Sequence, residues 1–433
     1  MSGALARAAY STLLRLATPV YLGRLWWRGR REPLYRHAWA ERLGGRGESA
    51  SDPGSGRLWL HAVSLGETRA AAPLIEALRR LRPDLRLLLT HGTATGREAG
   101  AALLRPGDLQ AWLPYDTPGA VRRFLRLHRP AIGVLMETEI WPNLLHAARE
   151  AGVPMVLANA RLSERSLRKG DRLAALMHPA VATLACALAQ TEDDARRLRA
   201  AGAAAVRVVG NVKFDVSPSP DLLARGRQWR APLGRPVVLA TSTREGEEEP
   251  LLQAWAALPS AGQAPRPLLL LVPRHPQRFD AVAAMVGACG LALARRSDWQ
   301  AEPPAAAAGA DVWLGDSLGE MPLYYAMADV ALLGGSFAPL GGQNLIEAAA
   351  CGCPLVMGPH TFNFAQAAEL SLQAGASVRV ETIGEAVPRA VALAIDPAHD
   401  DWVRRALGFA AQHRGAAERM AGEIAALLDS QRR

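Results

Sequence analysis

A chain of 433 residues exceeds what one hydrophobic core usually serves, so two domains are expected. Its 49% hydrophobic and 21% charged residues exclude a disordered polymer and fit a globular one. Lys and Arg outnumber Asp and Glu by 50 to 41, a net charge of +9. That excess favours anionic partners (phosphorylated small molecules, nucleic acid or an acidic membrane surface), although a soluble protein that is merely basic stays open. Cys186 and Cys289 are isolated, and Cys351 and Cys353 form a C-x-C pair. This spacing gives neither a disulfide framework nor a metal or redox site, and it fits a reducing, cytosolic compartment.

The N-terminal segment, 1–46, carries an apolar-rich stretch over 8–27, followed by Arg28, Arg30, Arg31 and Arg36. A cleaved signal peptide would need a cleaner apolar run and a small-residue cleavage site. A spanning helix would enclose Pro19, Arg15 and Arg24, each arginine costing about 2.5–3.5 kcal/mol near the bilayer centre. Tyr10, Leu13, Leu14, Ala17 and Tyr21 form one helical stripe, and Trp26 and Trp27 suit the headgroup level. The expectation is an interfacial or short membrane anchor, with a single span and a plain buried helix as the alternatives.

Glycine and serine crowd residues 47–57. From there short apolar runs alternate with helical stretches through a first domain, 47–213. Leu58–Val63, Leu85–Thr90, Ala131–Met136, Pro154–Asn159 and Thr183–Ala189 are predicted buried strands. Thr68–Leu81, Pro118–His128 and Pro142–Ala151 are predicted helices, the last with Pro at its first position. A polar, proline-containing hinge, FDVSPSP (214–220), leads to a second domain, 221–399. There strands are predicted at Val237–Thr241, Leu268–Val272, Leu291–Ala294, Val312–Leu314, Val330–Leu333 and Pro354–Met357, with helices at 246–258, 277–288, 319–327 and 342–351. Residues 300–310 read as a variable surface loop, and 400–433 as two final helices. The fold class is α/β: two Rossmann-like, doubly wound parallel sheets facing each other across a cleft lined by strand C-terminal loops.

The clearest site in the first domain is H-A-V-S-L-G-E, 61–67, which closes the first strand and opens a helix. Gly66 permits a tight turn that aims the Glu67 carboxylate at the cleft. The same residues also match a capping box, in which Glu67 merely caps the helix. A helix N-terminus lowers a carboxyl pKa and weakens a base, unless burial or another acid offsets it. M-E-T-E-I-W-P-N, 136–143, supplies further acids at a strand end: one can face the cleft while the other caps the next helix, or both serve structure. In G-N-V-K-F-D, 210–215, Lys213 can face a carboxylate or phosphate, or simply be solvated. The arginines of the 119–129 helix suit either an anionic lipid or ordinary solvent.

The second domain is built for a nucleotide. Pro273 and Arg274 follow a strand, and a guanidinium there can grip a phosphate through two hydrogen bonds. G-D-S-L-G-E-M, 315–321, joins a strand to a helix and leaves backbone N–H groups free around Leu318, Gly319 and Glu320. The glycine pairs of 334–342 let the backbone approach a ligand. Asn344, Leu345, Ile346 and Glu347 open the next helix, with Glu347 placed to bond ribose hydroxyls. No P-loop, nucleotide-binding G-x-G-x-x-G, metal-ligand spacing or nucleic-acid-binding motif is present.

Taken in order, HAVSLGE, LPYDTPGAVRRFL, METEIWPN, GNVKFD, PRHPQR, GDSLGEM and GGQNLIEAAACGCPLVMGP resemble the Kdo (3-deoxy-D-manno-octulosonic acid) transferases, inverting glycosyltransferases of GT-B fold. The resemblance covers the chain from its N-terminal anchor to about residue 375. It implies transfer of Kdo from CMP-Kdo to a lipid A precursor at the cytoplasmic face of the inner membrane, with neither a metal nor another cofactor. Glu67 would be the general base and Glu137 would stabilise positive charge on the Kdo ring. Lys213 would balance the Kdo carboxylate or departing phosphate. Arg274 would hold the phosphate, with Pro273, 318–320 and 344–347 around the rest of CMP-Kdo. His91 and the alanine-rich 300–310 segment depart from the expected pattern. The rival readings are another GT-B enzyme, such as a UDP-sugar transferase or epimerase, and a non-enzymatic sugar- or lipid-binding protein.

Overall fold

The computed structural model describes residues 3–45, 56–259, 266–300 and 302–431, so 47–55 of the Gly/Ser-rich stretch lie outside the described residues. Two compact units divide the chain. The first takes it up to Asp215 and again from Arg414; the second spans Val216–His413.

The first unit holds seven parallel strands: β1 (Leu58–His61), β2 (Leu87–His91), β3 (Leu109–Trp112), β4 (Ile132–Met136), β5 (Met155–Ala160), β6 (Cys186–Ala189) and β7 (Val206–Val208). Their order is β3-β2-β1-β4-β5-β6-β7. Central strands such as β1, β2 and β4 are buried along their whole length, which is why they read as unbroken apolar runs. Successive side chains serve opposite faces. Leu58 and Leu60 pack with Leu74, Ile75 and Leu78 of the Leu65–Leu81 helix, whereas Trp59 packs with Phe124, Leu144 and Leu145. The helix Ala416–Ser430 belongs to this unit. Its Met420, Ile424 and Leu428 join the cluster around Leu74, while His399–His413 belongs to the second unit.

The second unit repeats the plan with β8 (Val237–Thr243), β9 (Leu268–Pro273), β10 (Leu293–Arg295), β11 (Val312–Leu314), β12 (Val330–Leu333), β13 (Leu355–Met357) and β14 (Ser377–Arg379). The order is β10-β11-β9-β8-β12-β13-β14, again parallel. Each sheet therefore has a point where strand order reverses, between β1 and β4 and between β8 and β12. Loops diverge there and leave room for a ligand at the strand C-termini.

The N-terminal helix runs unbroken from Gly3 to Arg28, through Pro19. Its predicted stripe is split by the packing. Ala6, Ser11 and Leu25 are buried against the unit, the Tyr10 hydroxyl donates to Asp116 (3.0 Å) and the Ser11 hydroxyl to Asn143 Oδ1 (3.1 Å). Leu13, Leu16, Val20, Tyr21 and Trp27 remain exposed. Among the described residues, no helix is long and apolar enough to cross a membrane. On the Pro118–His128 helix the arginines form the outer face, Arg122 paired with Glu150 at 3.3 Å and Arg123 bonded to the Leu43 carbonyl.

Candidate active site

Because β1 and β4 are neighbours, the loops after them meet. Ser64 caps the Leu65–Leu81 helix and accepts the Glu67 N–H at 3.4 Å. The Glu67 carboxylate reaches back to accept the Val63 N–H at 2.7 Å. The capping geometry is thus formed, one residue displaced from its usual recipient. It does not lower the acid strongly. Burial pushes the Glu67 carboxyl up to about 7; the Val63 N–H opposes this, Glu139 and Glu137 add to it, and Arg161 subtracts. A carboxyl that is half-charged near neutral pH is suited to take a proton.

Glu137 follows β4 with φ 55°, a strained value for a residue with a side chain, and its N–H donates to Ala158 O at 2.9 Å. Its buried carboxylate meets Arg161 Nε at 3.1 Å and stands 4.0 Å from Lys213 Nζ. Lys213 is delivered by a short turn over Val212–Phe214. The Asn211 side chain caps that turn, and Asn159 Oδ1 accepts the Val212 N–H at 3.2 Å. The structure therefore groups all three predicted residues, Glu67, Glu137 and Lys213, and adds Arg161 and Glu139.

The expectation that one acid of METE caps the next helix is corrected. Glu139 accepts the Trp141 indole N–H at 2.8 Å, and burial raises its pKa. The Pro142–Glu150 helix is instead held by Asp116, whose oxygens accept the Asn143 and Leu144 N–H groups at 3.0 and 2.7 Å. Asp116 comes from the LPYDTPG run; the sequence offers no sign of which helix it serves. Behind the site His61 is fully buried, and its pKa falls to about 3 through burial first and the nearby His91 second. Burial thus favours its neutral ring at ordinary pH. His91 is also buried, between Ala62 O and the Gln110 amide, and burial takes it down to about 4.

In the second unit Glu247, 2% exposed, accepts N–H groups from Arg244 (2.9 Å), Gly335 (2.8 Å), Phe337 (3.1 Å) and Ala338 (3.3 Å), tying the loops after β8 and β12 at their switch point. Gly341 and Gly342 take φ of 88° and 74°, which glycine alone adopts without strain. The predicted donor residues divide into three kinds. Arg274 is exposed and Glu347 half-buried; neither side chain has a hydrogen-bonding partner among the described residues, and burial raises the Glu347 pKa. Pro273, Leu345 and Ile346 are buried, so they shape the loops and can offer a ligand only backbone.

The rest have side chains that are already committed or that leave the main chain open. Asn344 Oδ1 caps its helix through the Ile346 N–H at 3.2 Å. Glu320 is bonded by Arg296 (3.0 Å), Arg225 (2.9 Å) and Ser317 (2.7 Å). Burial alone would raise its pKa, but these partners hold it below the usual value. Leu318 is exposed and Gly319 takes φ 80°, so this loop presents main chain. Among the described residues no group of three or more His, Cys, Asp or Glu is arranged to hold a metal ion.

Two seven-stranded parallel sheets in separate units, each with a switch point in its strand order, define the GT-B class of glycosyltransferases and related sugar-nucleotide enzymes. Anabaena Alr3699/HepE in complex with UDP shares this fold (TM-score 0.55, 16% identity, 86% of this chain and 99% of that one). So does the UDP-GlcNAc 2-epimerase from Neisseria meningitidis (TM-score 0.53, 15% identity, 86% of this chain and 100% of that one). A family model described as 3-deoxy-D-manno-octulosonic-acid transferase (kdotransferase) matches residues 37–216. The 3-deoxy-D-manno-octulosonic acid transferase of Bordetella pertussis is 49% identical over 421 residues, 95% of this chain and 97% of that protein. That of Haemophilus influenzae is 34% identical over 389 residues, 89% and 90% of the two chains. The chain belongs to the Kdo transferase family and is a glycosyltransferase.

Proposed function

We propose that the enzyme moves Kdo from CMP-Kdo onto a hydroxyl of a lipid A precursor, with Glu67 as general base. The observation that carries this is a half-buried carboxyl with pKa about 7, in the first turn of the helix that follows β1, where a substrate can reach it. Glu67 accepts the proton of the attacking hydroxyl as the acceptor oxygen bonds to the anomeric carbon of Kdo. The bond from that carbon to the CMP phosphate breaks with inversion, and CMP leaves with its electron pair. Lys213 and Arg161 face the Kdo carboxylate. Because cations occupy both sides of Glu137, its part is to hold them and to raise Glu67, more than to meet charge on the sugar ring.

In the second unit Arg274 holds the phosphate, Glu347 the ribose, and the main chain at 318–320 and 344–346 the remainder of the nucleotide, with Pro273 as a rigid support. The exposed apolar residues of the N-terminal helix, with Arg15 and Arg24 beside them, lay that helix in the interface of an anionic membrane at the cytoplasmic face. Incubation of the full chain with CMP-Kdo and a tetraacylated lipid A precursor, followed by mass measurement, is expected to show one or more added Kdo units. Transfer from a UDP-sugar but not from CMP-Kdo would overturn the reading.

A further inference from the structure

Beneath the N-terminal helix lies a cavity of about 360 Å³, within the range of small-ligand pockets. From the helix Leu14, Ala17 and Leu25 line it beside Thr18, Tyr21 and Arg28, the last paired with Glu32 at 3.0 Å, and Leu113, Pro114 and Trp141 face it from the sheet end. Into this apolar space the structure builds an uncompensated cation. Arg42 is 3% exposed, its guanidinium is 3.9 Å from the Trp112 ring centroid, and its Nε and Nη2 have no hydrogen-bond partner. The adjacent Glu41 does not neutralise it, because Glu41 is taken by Arg97 (2.8 Å) and the Trp112 N–H (2.9 Å). The Tyr115 hydroxyl, also at the cavity, is buried and unpartnered. Asp116, the carboxylate that lines the cavity, is already met by Tyr10 and two backbone N–H groups. A buried charge without a partner is costly, and Arg keeps its proton, so such a site gains most from a bound anion.

We propose that this cavity receives a phosphate-bearing acyl lipid, with Arg42 and the Tyr115 hydroxyl binding the phosphate and the apolar walls taking an acyl chain. The inference rests on the acceptor named above and deepens it. Val63 lines the same cavity while its N–H holds the Glu67 carboxylate, so a lipid seated here lies one residue from the proposed base. The phosphate becomes an anchor that sets which sugar hydroxyl reaches Glu67. His61 Nε2, buried and unpartnered at the cavity, adds an acceptor, since its Nδ1 faces the Thr90 carbonyl at 3.1 Å and so carries the proton.

The test compares direct binding of a tetraacylated disaccharide carrying its phosphates with the same lipid dephosphorylated, in the full chain without donor. Wild type is expected to prefer the phosphorylated lipid. Arg42→Gln is expected to remove about 10- to 100-fold of that preference, the scale of one charge-assisted hydrogen bond, while leaving the affinity for CMP unchanged. Arg42→Lys should recover part of the preference. Tyr115→Phe, which deletes one oxygen and keeps the ring, should lower it less, and it serves if Arg42→Gln does not fold. Ala17→Trp, filling the cavity from the helix, should weaken both lipids alike. Equal binding of the two lipids by wild type, or an undiminished preference in Arg42→Gln, would overturn the inference. Because the readout is binding, absence of Kdo transfer would count against the proposed activity and not against this site.

Discussion

Glu67 is held in an arrangement that many helices use only for capping, and a single substitution separates the two roles. In Glu67→Gln the amide oxygen can still accept the Val63 N–H, so the helix start should persist. Transfer is expected to fall about 10²–10⁴-fold, the usual contribution of a positioned base, with CMP affinity retained. In wild type the rate at saturating donor should rise with pH and level off above about 7, and the variant should lose that limb. Stability should move the other way. Burial favours the neutral acid, so between pH 4.5 and about 7 the folded chain keeps a proton that the unfolded chain has released. The group's contribution is whole below 4.5 and is lost as pH climbs through about 7. Removing the charge at pH 8 is therefore expected to stabilise the first unit by about 1 kcal/mol once solvent screening is allowed for, measurable by denaturant unfolding. Glu67, Glu137 and Lys213 were legible because each directly follows an apolar run or sits in a motif. Arg161 and Asp116 were not: their partners lie on helices or in a loop after a different strand, and which of these segments are neighbours is written in the sheet order and not in local spacing.

The N-terminal helix shows why amphipathicity read from one stripe was ambiguous. One face packs on the unit through Tyr10, Ser11 and Leu25, and the other leaves Leu13, Leu16 and Val20 exposed, so the helix is apolar toward two different surroundings. The two faces should respond separately. Leu16→Glu with Val20→Glu is expected to reduce binding to anionic vesicles at least tenfold, since each exposed aliphatic side chain gains about 1.5–3 kcal/mol when buried, with little change in melting temperature. Tyr10→Phe should leave vesicle binding intact and cost about 1 kcal/mol of stability, by removing one of three donors to Asp116. If the outer-face variant floats with vesicles as wild type does, the helix is not the anchor. Among strands, the buried central ones were readable as apolar runs. β3, β7 and β14 were missed because they are short and partly exposed at or near the sheet edges, where no continuous apolar run is required.

At the scale of the whole chain, the stretch 210–215 does more than carry Lys213. Asp215 is the last residue of the first unit before the chain leaves it, and its carboxylate accepts the Gly415 and Ala417 N–H groups, at 2.5 and 2.6 Å, where the chain returns. The returning helix then packs Ile424 and Leu428 onto Leu74 and Leu78 of the helix that begins at the Glu67 loop. One short segment therefore both delivers a cation to the site and fastens the helix that braces the base. Asp215→Ala should cost about 1–2 kcal/mol through loss of the cap, and it should lower transfer even though Asp215 touches no substrate. Ile424→Ala, a fully buried truncation, should cost about 2–5 kcal/mol, confined to the first unit. Hydrogen exchange can decide between local and general loosening. Faster exchange along Leu65–Leu81 and around Lys213, with Val237–Thr243 unchanged and CMP affinity retained, is the expected pattern. Uniform acceleration in both units would mean that the returning helix supports the whole molecule and has no particular bearing on the site.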